Sequence, residues 1–464
     1  MGRRVFVTGL GVVCALGQDL ERVWQAMLEG QSPVEPIPDR WLQHGDYRCR
    51  VWVPCPRPDY RASGLSRNEL VQHDPVTLNA VCAALSAVRH AGLDVELADR
   101  RANALRIPEL DATRCGVFMG TGVGGVTSFM EHQSHQLLFR PLARLQAEMN
   151  KDGADQARTA VDAGSDRDPL AAFARSVEPA QRFNPFAVSM IMPNAVAAYL
   201  GVKFGLQGVA SMCSMACAAG TVAIGQAFRA VRDGYVDMAL CGGSEYFDDP
   251  HGGLFRAFDT ARALARDERG PCAANRPFDA GRSGFVLGQG AAAVLVLESE
   301  ASVRARSATA IAELRGFAES FDGVSMMALA ADGACIERAQ RNALQDAGVT
   351  SDDIQYINAH GTGTINNDEV EARVIERVFG SEVMVNSTKS LLGHSIGASG
   401  ALEAVVTCLT LRDQQVHPSL NLDEPIAPLD FVRERRRVSV RNAVSESFAF
   451  GGHNAALVFS EANL

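Results

Sequence analysis

The chain lacks several features, and each absence closes off a class of protein. No stretch of its 464 residues approaches the roughly 20 consecutive apolar residues that span a bilayer, so no membrane-crossing helix is expected. There is no surplus of basic charge: 44 Lys and Arg stand against 54 Asp and Glu, a net charge of -10, which argues against a nucleic-acid partner held by bulk electrostatics. The opening MGRRVFVTGLGVV lacks the long apolar segment and small-residue cleavage site of a secretory leader and enters a strand-like run at once, so the expected location is the cytoplasm. A paired cysteine framework is missing too. The 11 cysteines are odd in number and scattered, the usage of a reducing compartment in which most of them are small buried hydrophobes.

What is present is core. With 47% hydrophobic and only 21% charged residues, the chain can fill about two to four domains, or one large or internally duplicated globule. Apolar runs that end in glycine clusters recur before helix-like stretches: RVFVTGLGVV at 4–13, RCGVFMGTGVGG at 114–125, VDMALCGGSEY at 236–246, SGFVLGQGAAAVLVLE at 283–298, IQYINAHGTGT at 354–364 and NAALVFS at 454–460. Strands alternating with helices of 10 to 20 residues predict an α/β protein with largely buried sheets. Laid without gaps, CAAGTVAIGQAFRAVRD from Cys217 matches GASGALEAVVTCLTLRD from Gly397 in its small opening residues and closing Arg-Asp, which hints at a duplication. Residues 139–182, rich in Arg, Asp and Ala, read as an inserted helical or mobile segment, and 260–282 as a long surface loop.

The glycine turns GLGVVCALG and GTGVGG miss the full G-x-G-x-x-G spacing of a dinucleotide site and are read as tight strand-to-helix turns. Two cysteines four apart in SMCSMACAAG pose a sharper question. Metal binding would need two more ligands, and His132 and His135 lie beside the insert, so no metal is expected. A nucleophile needs a favoured thiolate, which unpaired N–H groups at a helix start provide; Cys217, followed by Ala218, Ala219 and Gly220, stands at such a start, whereas Cys213 falls within strand-like packing. Core filling remains the plainer reading of any single cysteine. Against it stand His360 and His394, each in a glycine-bearing loop after a strand-like run, with Lys389 five residues before His394 and Glu403 nine after it. Thiolate, imidazoles, lysine and carboxylate together suit acyl transfer.

The motifs S-x-A-C-A-x-G at Cys217, N-A-H-G-T-G-T at His360 and S-T-K-S-x-x-G-H-x-x-G-A-x-G at His394 resemble those of the β-ketoacyl-[acyl carrier protein] synthases, the thiolase-like condensing enzymes, and most of all the elongating type II enzymes. The resemblance runs from RRVFVTGLGVVCALG to FAFGGHNAALVFS, leaving out the insert. It implies a thiolase-like α/β fold of two pseudo-symmetric halves in five α-β-α-β-α layers, with an N-terminal half over 1–298 carrying the nucleophile and a C-terminal half over 306–464 carrying the histidines. It implies decarboxylative Claisen condensation of an acyl-enzyme thioester with a malonyl carrier, extending a fatty acid, polyketide or polyene chain. By this likeness Cys217 is the nucleophile, His360 and His394 bind the malonyl carbonyl, Lys389 pairs with Glu403, and Thr362, Thr364 and Asp368 shape and support the His360 loop. Phe450 is the gate, whose N–H joins that of Cys217 in the oxyanion hole; Val123 lies by the acyl pocket near a dimer interface. Arg67, Arg262 and Arg266 face an acyl carrier protein. No cofactor is implied beyond the carrier's phosphopantetheine. The partners implied are the carrier and a second copy, or a ketosynthase-like subunit in a heterodimer.

Three positions depart from the pattern: Ala449 and Gln289 stand where glycine and an acid are usual, and Glu446 where asparagine is common. An alanine in place of a permissive glycine is expected to alter the gate. Two other functions follow from the same residues. One is a carrier-dependent acyltransferase or malonyl decarboxylase without condensation; the other is a non-catalytic chain-length-determining partner, which an intact Cys217 disfavours.

Overall fold

The apolar runs become the strands of one extended sheet. The structure, a computed structural model, describes residues 2–134, 184–247, 251–266 and 268–464. The insert expected at 139–182 and His135 lie outside the described residues. Eleven strands are hydrogen-bonded in series. In chain order they are β1 (Val5–Val13), β2 (Cys115–Thr121), β3 (Ala210–Ser214), β4 (Met238–Tyr246), β5 (Gly290–Ser299), β6 (Ala312–Phe321), β7 (Tyr356–Asn358), β8 (Met384–Asn386), β9 (Asp430–Phe431), β10 (Asn442–Ala449) and β11 (His453–Glu461). Their spatial order is β9-β8-β7-β10-β11-β6-β1-β5-β4-β2-β3. The run 283–298 is strand only from Gly290 onward.

That order contains one five-strand pattern twice. β1, β5 and β4 pair antiparallel and β4, β2 and β3 parallel; β6, β11 and β10 likewise pair antiparallel and β10, β7 and β8 parallel, with β9 added at the edge. The halves touch where Val5–Val7 of β1 meet Ala312–Leu314 of β6, and their pairing ends there.

Six helices complete the layers: α1 (Pro75–His90), α2 (Ala195–Phe204), α3 (Ala219–Arg232), α4 (Ala334–Ala347), α5 (Ile365–Phe379) and α6 (Ser399–Asp413). Packed on the outside are α1 against β1 and β5, α2 against β2, and α4 against β6 and β11; α3 and α6 pack on each other and on strands of both halves. This is the thiolase-like α-β-α-β-α arrangement.

The centre explains the small residues of the two matching segments. Strands buried on both faces read as continuous apolar runs, and helices buried on all sides carry no polar stripe. Thirteen consecutive residues of α6, Ser399–Leu411, are buried. A Cβ placed on Gly400 would lie 2.0 Å from Thr221 Oγ1 of α3, so only glycine lets the helices approach this closely. The 260–282 loop departs from the sequence reading: Ala274, Asn275, Arg276, Phe278 and Asp279 are buried, because this stretch dives under the loops of the second half.

Candidate active site

Each chemical group expected from the motifs hangs on a turn that a strand or helix end fixes. Cys217 sits in a 3-10 turn, Ala216–Ala218, that runs straight into α3. Its sulphur faces its own N–H and that of Phe450. His360 follows β7, and His394 lies between the short helix Lys389–Leu392 and the turn before α6.

These turns converge. His394 Nε2 stands 2.9 Å from Cys217 Sγ, and the His360 and His394 rings meet edge to face with centroids 5.6 Å apart. Lys389 Nζ reaches His360 Nδ1 at 3.2 Å, donates to the His360 carbonyl at 2.6 Å, and pairs with Glu403 at 2.5 Å, both partners buried. Breaking such a pair by removing one side would leave the other charge uncompensated.

Burial sets the charge states. Desolvation by the core and the nearby Lys389 charge hold both imidazoles well below the usual histidine range, so both are neutral. The Cys217 thiol is pushed up to about 12 by burial, with Lys389 and the Phe450 N–H pulling the other way. The favoured thiolate expected from the helix start is thus outweighed by desolvation. Cys213 is pushed to about 12 as well, so acidity does not separate the two cysteines. Neighbours do. Cys213 donates to the Ala219 carbonyl at 3.0 Å inside packing, whereas Cys217 faces two N–H groups and an imidazole and opens onto a cavity.

The cavity, about 380 Å³, is lined by Cys217, His360, His394, Thr362, Thr364 and Phe450 among others, and Arg262, Met327 and Ile365 stand at it too. Phe285 and Phe448 flank the two imidazoles edge-on. Asp368 accepts from the N–H groups of Thr362, Gly363 and Phe278, so it anchors the loop behind His360. Thr362 and Thr364 share a hydroxyl contact at 2.9 Å.

The remaining positions scatter. Val123 is 45% exposed and does not line the cavity; its N–H is held by Glu245. Arg266 is exposed, 3.6 Å from Glu268, and Arg67 is exposed on the short helix Arg67–Gln72, away from the cavity lining. Of the three arginines expected to face a carrier, only Arg262 lies on the cavity.

Two departures find their reasons. Gln289 accepts from the Cys55 N–H at 2.9 Å and donates to the Tyr246 hydroxyl at 3.3 Å, a double role that an ionised acid cannot fill. Ala449 ends β10 with no positive φ; Gly451 and Gly452, at φ 88° and 85°, take the left-handed positions, so the methyl at 449 meets no torsional penalty here.

Sequence reasoning missed four residues. Ser399 Oγ lies 2.9 Å from His394 Nδ1 and accepts the Ser395 N–H at 2.9 Å. Glu371 accepts the His360 N–H at 2.7 Å and the Gly361 N–H at 2.8 Å, with Asn367 Nδ2 at 2.9 Å. Asn275, from the loop that dives inward, donates to the Lys389 carbonyl. The signal for Asn367 and Glu371 was that they are polar and share with the expected Asp368 the face of α5 that the apolar pattern assigns to the core.

A buried cysteine at a helix start, two neutral imidazoles and a lysine–glutamate pair, on a duplicated thiolase-like scaffold, define a condensing enzyme. The chain belongs to the β-ketoacyl synthase family: residues 2–144 and 143–302 match its N-terminal domain and 311–423 its C-terminal domain. Among curated proteins it is similar to 3-oxoacyl-[acyl-carrier-protein] synthase 2 of Synechocystis sp., 34% identical with 99% of this chain and 98% of the relative covered, and of Vibrio harveyi, 33% identical with 99% of each covered. Among solved structures it is similar to a β-ketoacyl synthase from Burkholderia phymatum, at TM-score 0.79 and 30% identity, covering 99% of this chain and all of that one. The ishigamide ketosynthase/chain length factor superposes at TM-score 0.80 and 28% identity, with both chains fully covered. A type II polyketide ketosynthase in complex with its acyl-carrier protein and bound to the hexaketide does so at TM-score 0.80 and 25% identity, again over both chains entirely.

Proposed function

We propose that this protein lengthens carrier-bound acyl chains by decarboxylative condensation, with Cys217, His360 and His394 as its catalytic residues. The observation that carries the reading is their convergence on one cavity, with Cys217 Sγ 2.9 Å from His394 Nε2 and Lys389 braced between His360 and Glu403.

In the first step Cys217 Sγ bonds to the acyl carbonyl of a carrier thioester, the C–S bond to the carrier breaks, and the carrier thiol leaves with the cysteine's proton. The transient oxyanion lies against the N–H groups of Cys217 and Phe450. A malonyl thioester then places its carbonyl between the two imidazoles, which are neutral and hence able to donate one N–H each. Loss of CO₂ leaves its bonding electrons in an enolate that these donors stabilise. The enolate carbon attacks the acyl carbonyl, a C–C bond forms, and the Cys217 thiolate leaves and regains a proton from solvent. Burial favours the carboxylate's departure as neutral CO₂.

The reading includes a cytoplasmic chain of two halves over 1–298 and 306–464 that works with an acyl carrier protein approaching past Arg262. It also includes a homodimer. The outer edge of β3 has no strand partner among the described residues, and Val202 and Val209 nearby are exposed, features that a second copy, or a ketosynthase-like subunit, would cover. Incubation with acyl-carriers of several lengths and malonyl-carrier tests the function: a β-ketoacyl product is expected. Acyl exchange or malonyl loss without a new C–C bond would instead mark an acyltransferase or decarboxylase.

A further inference from the structure

Glu446 has no place in the reaction just described, yet it is buried beside it. Successive side chains of β10 leave opposite faces of the sheet. Ser447 faces the centre, with its hydroxyl 2.7 Å from Thr221 Oγ1 of α3. Glu446 faces the other way, toward the outer helices. There Gln340 of α4 donates to its Oε2 at 2.8 Å, its Oε1 is buried without a hydrogen-bond partner, and its carboxyl meets that of Glu371 on α5.

That neighbour holds the His360 loop. Both oxygens of Glu371 are occupied by N–H donors, from His360, Gly361 and Asn367. Other charged groups face the pair from two sides. Asp368 of α5 is itself held by loop N–H groups and lies 3.9 Å from Arg282; beyond His360 stands the Lys389–Glu403 pair, whose ammonium is bound to the His360 carbonyl and not to Glu371. Two buried carboxylates in contact cannot both be ionised, so the pair retains a proton. Burial raises Glu371 as well as Glu446, and the facing carboxyl raises Glu371 further, so the proton belongs to the pair. Three N–H donors on Glu371 against one on Glu446 favour Glu371 as its acceptor and Glu446 as its donor.

We propose that Glu446 is a positioning residue for His360: as a neutral acid it donates to Glu371 and thereby holds in place the carboxylate that fixes the His360 and Gly361 backbone. Loss of that proton would set two negative charges against each other and release the loop. Burial raises both carboxyls, Glu371 well above its ordinary value, so the pair keeps its last proton through neutral pH and release belongs to the alkaline side. A glutamine at this position keeps a donor that does not titrate. The proposal rests on His360 acting in condensation.

The test is the pH profile of condensation for the wild type, Glu446→Gln and Glu446→Ala, with Cys217 acylation followed by intact mass in parallel. Glu446→Ala is expected to lower the condensation rate about tenfold while acylation persists. Glu446→Gln is expected to restore it and to extend the alkaline limb by about one pH unit. Superimposable alkaline limbs for the wild type and Glu446→Gln would overturn the proposal.

Stability supplies a readout that does not depend on the reaction. A carboxyl raised in the folded state contributes stability that is full below its unfolded value and lost as pH rises through its folded value. The advantage of Glu446→Gln in unfolding temperature should therefore grow as pH rises above about 5. If no protein, wild type included, makes a β-ketoacyl product, the proposed function fails while this measurement still judges the pair; an advantage that does not change with pH overturns the shared proton.

Discussion

The turn Ala216–Ala218 before α3 and the turn Ile396–Ala398 before α6 share one backbone shape. Both are 3-10, and Ala216 and Ile396 adopt positive φ of 44° and 47° at equivalent places. At the next position one carries Cys217 and the other Gly397. A Cβ at Gly397 would lie 2.2 Å from the Gly122 N and 2.6 Å from the Thr121 carbonyl carbon, whereas the Cys217 side chain reaches a cavity. Duplication thus supplied the turn twice, and packing closed one copy while leaving the other open. A second pair of loops repeats the lesson. After β2, Glu245 gathers the N–H groups of Gly122, Val123 and Gly124; after β7, Glu371 and Asp368 gather those of His360, Gly361, Thr362 and Gly363. Each loop is clamped by buried acid, and only the second presents an imidazole to the cavity.

Substitutions can break this asymmetry, and the largest effect belongs to the open turn. Cys217→Ala should reduce condensation by more than about 10⁴-fold and abolish the mass added by acyl-carriers, because Cys217 is the one thiol lining the cavity among the described residues. His360→Ala comes next. It should lower condensation by about 10² to 10³-fold while Cys217 still acylates, a split read by product formation against intact mass. Equal loss of both would mean that the second half's loop serves the first step as well.

The closed turn should answer in stability. Gly397→Ala is expected to cost about 1–3 kcal/mol in chemical denaturation, since the methyl group meets backbone rather than a yielding side chain. Cys213→Ala should be mildest, about 1 kcal/mol with acylation intact, because this thiol fills core and donates to the Ala219 carbonyl. A Cys213 variant that lost acylation would overturn the assignment of the nucleophile.

Much of this was legible in the chain. The strand runs at 4–13, 114–125 and 236–246 became β1, β2 and β4, and the weak match between Cys217 and Gly397 marked equivalent turns. Glu371 and Ser399 were not legible, because their partners are backbone N–H groups and an imidazole nitrogen whose directions depend on how loops turn. Glu446 and Gln289 read as departures, and only their neighbours, Gln340 with Glu371 and Cys55 with Tyr246, gave them reasons.

By itself the sequence determined the alternation of strands and helices, the small-residue centre and the kinds of chemical group available, because these follow from local pattern and composition. The tertiary structure decided which of two like cysteines faces donors and a cavity, which of two like turns stays open, and how far burial moves a proton. Those depend on contacts between residues far apart in the chain, as between Cys217 and His394, and on desolvation, which no stretch of sequence carries alone.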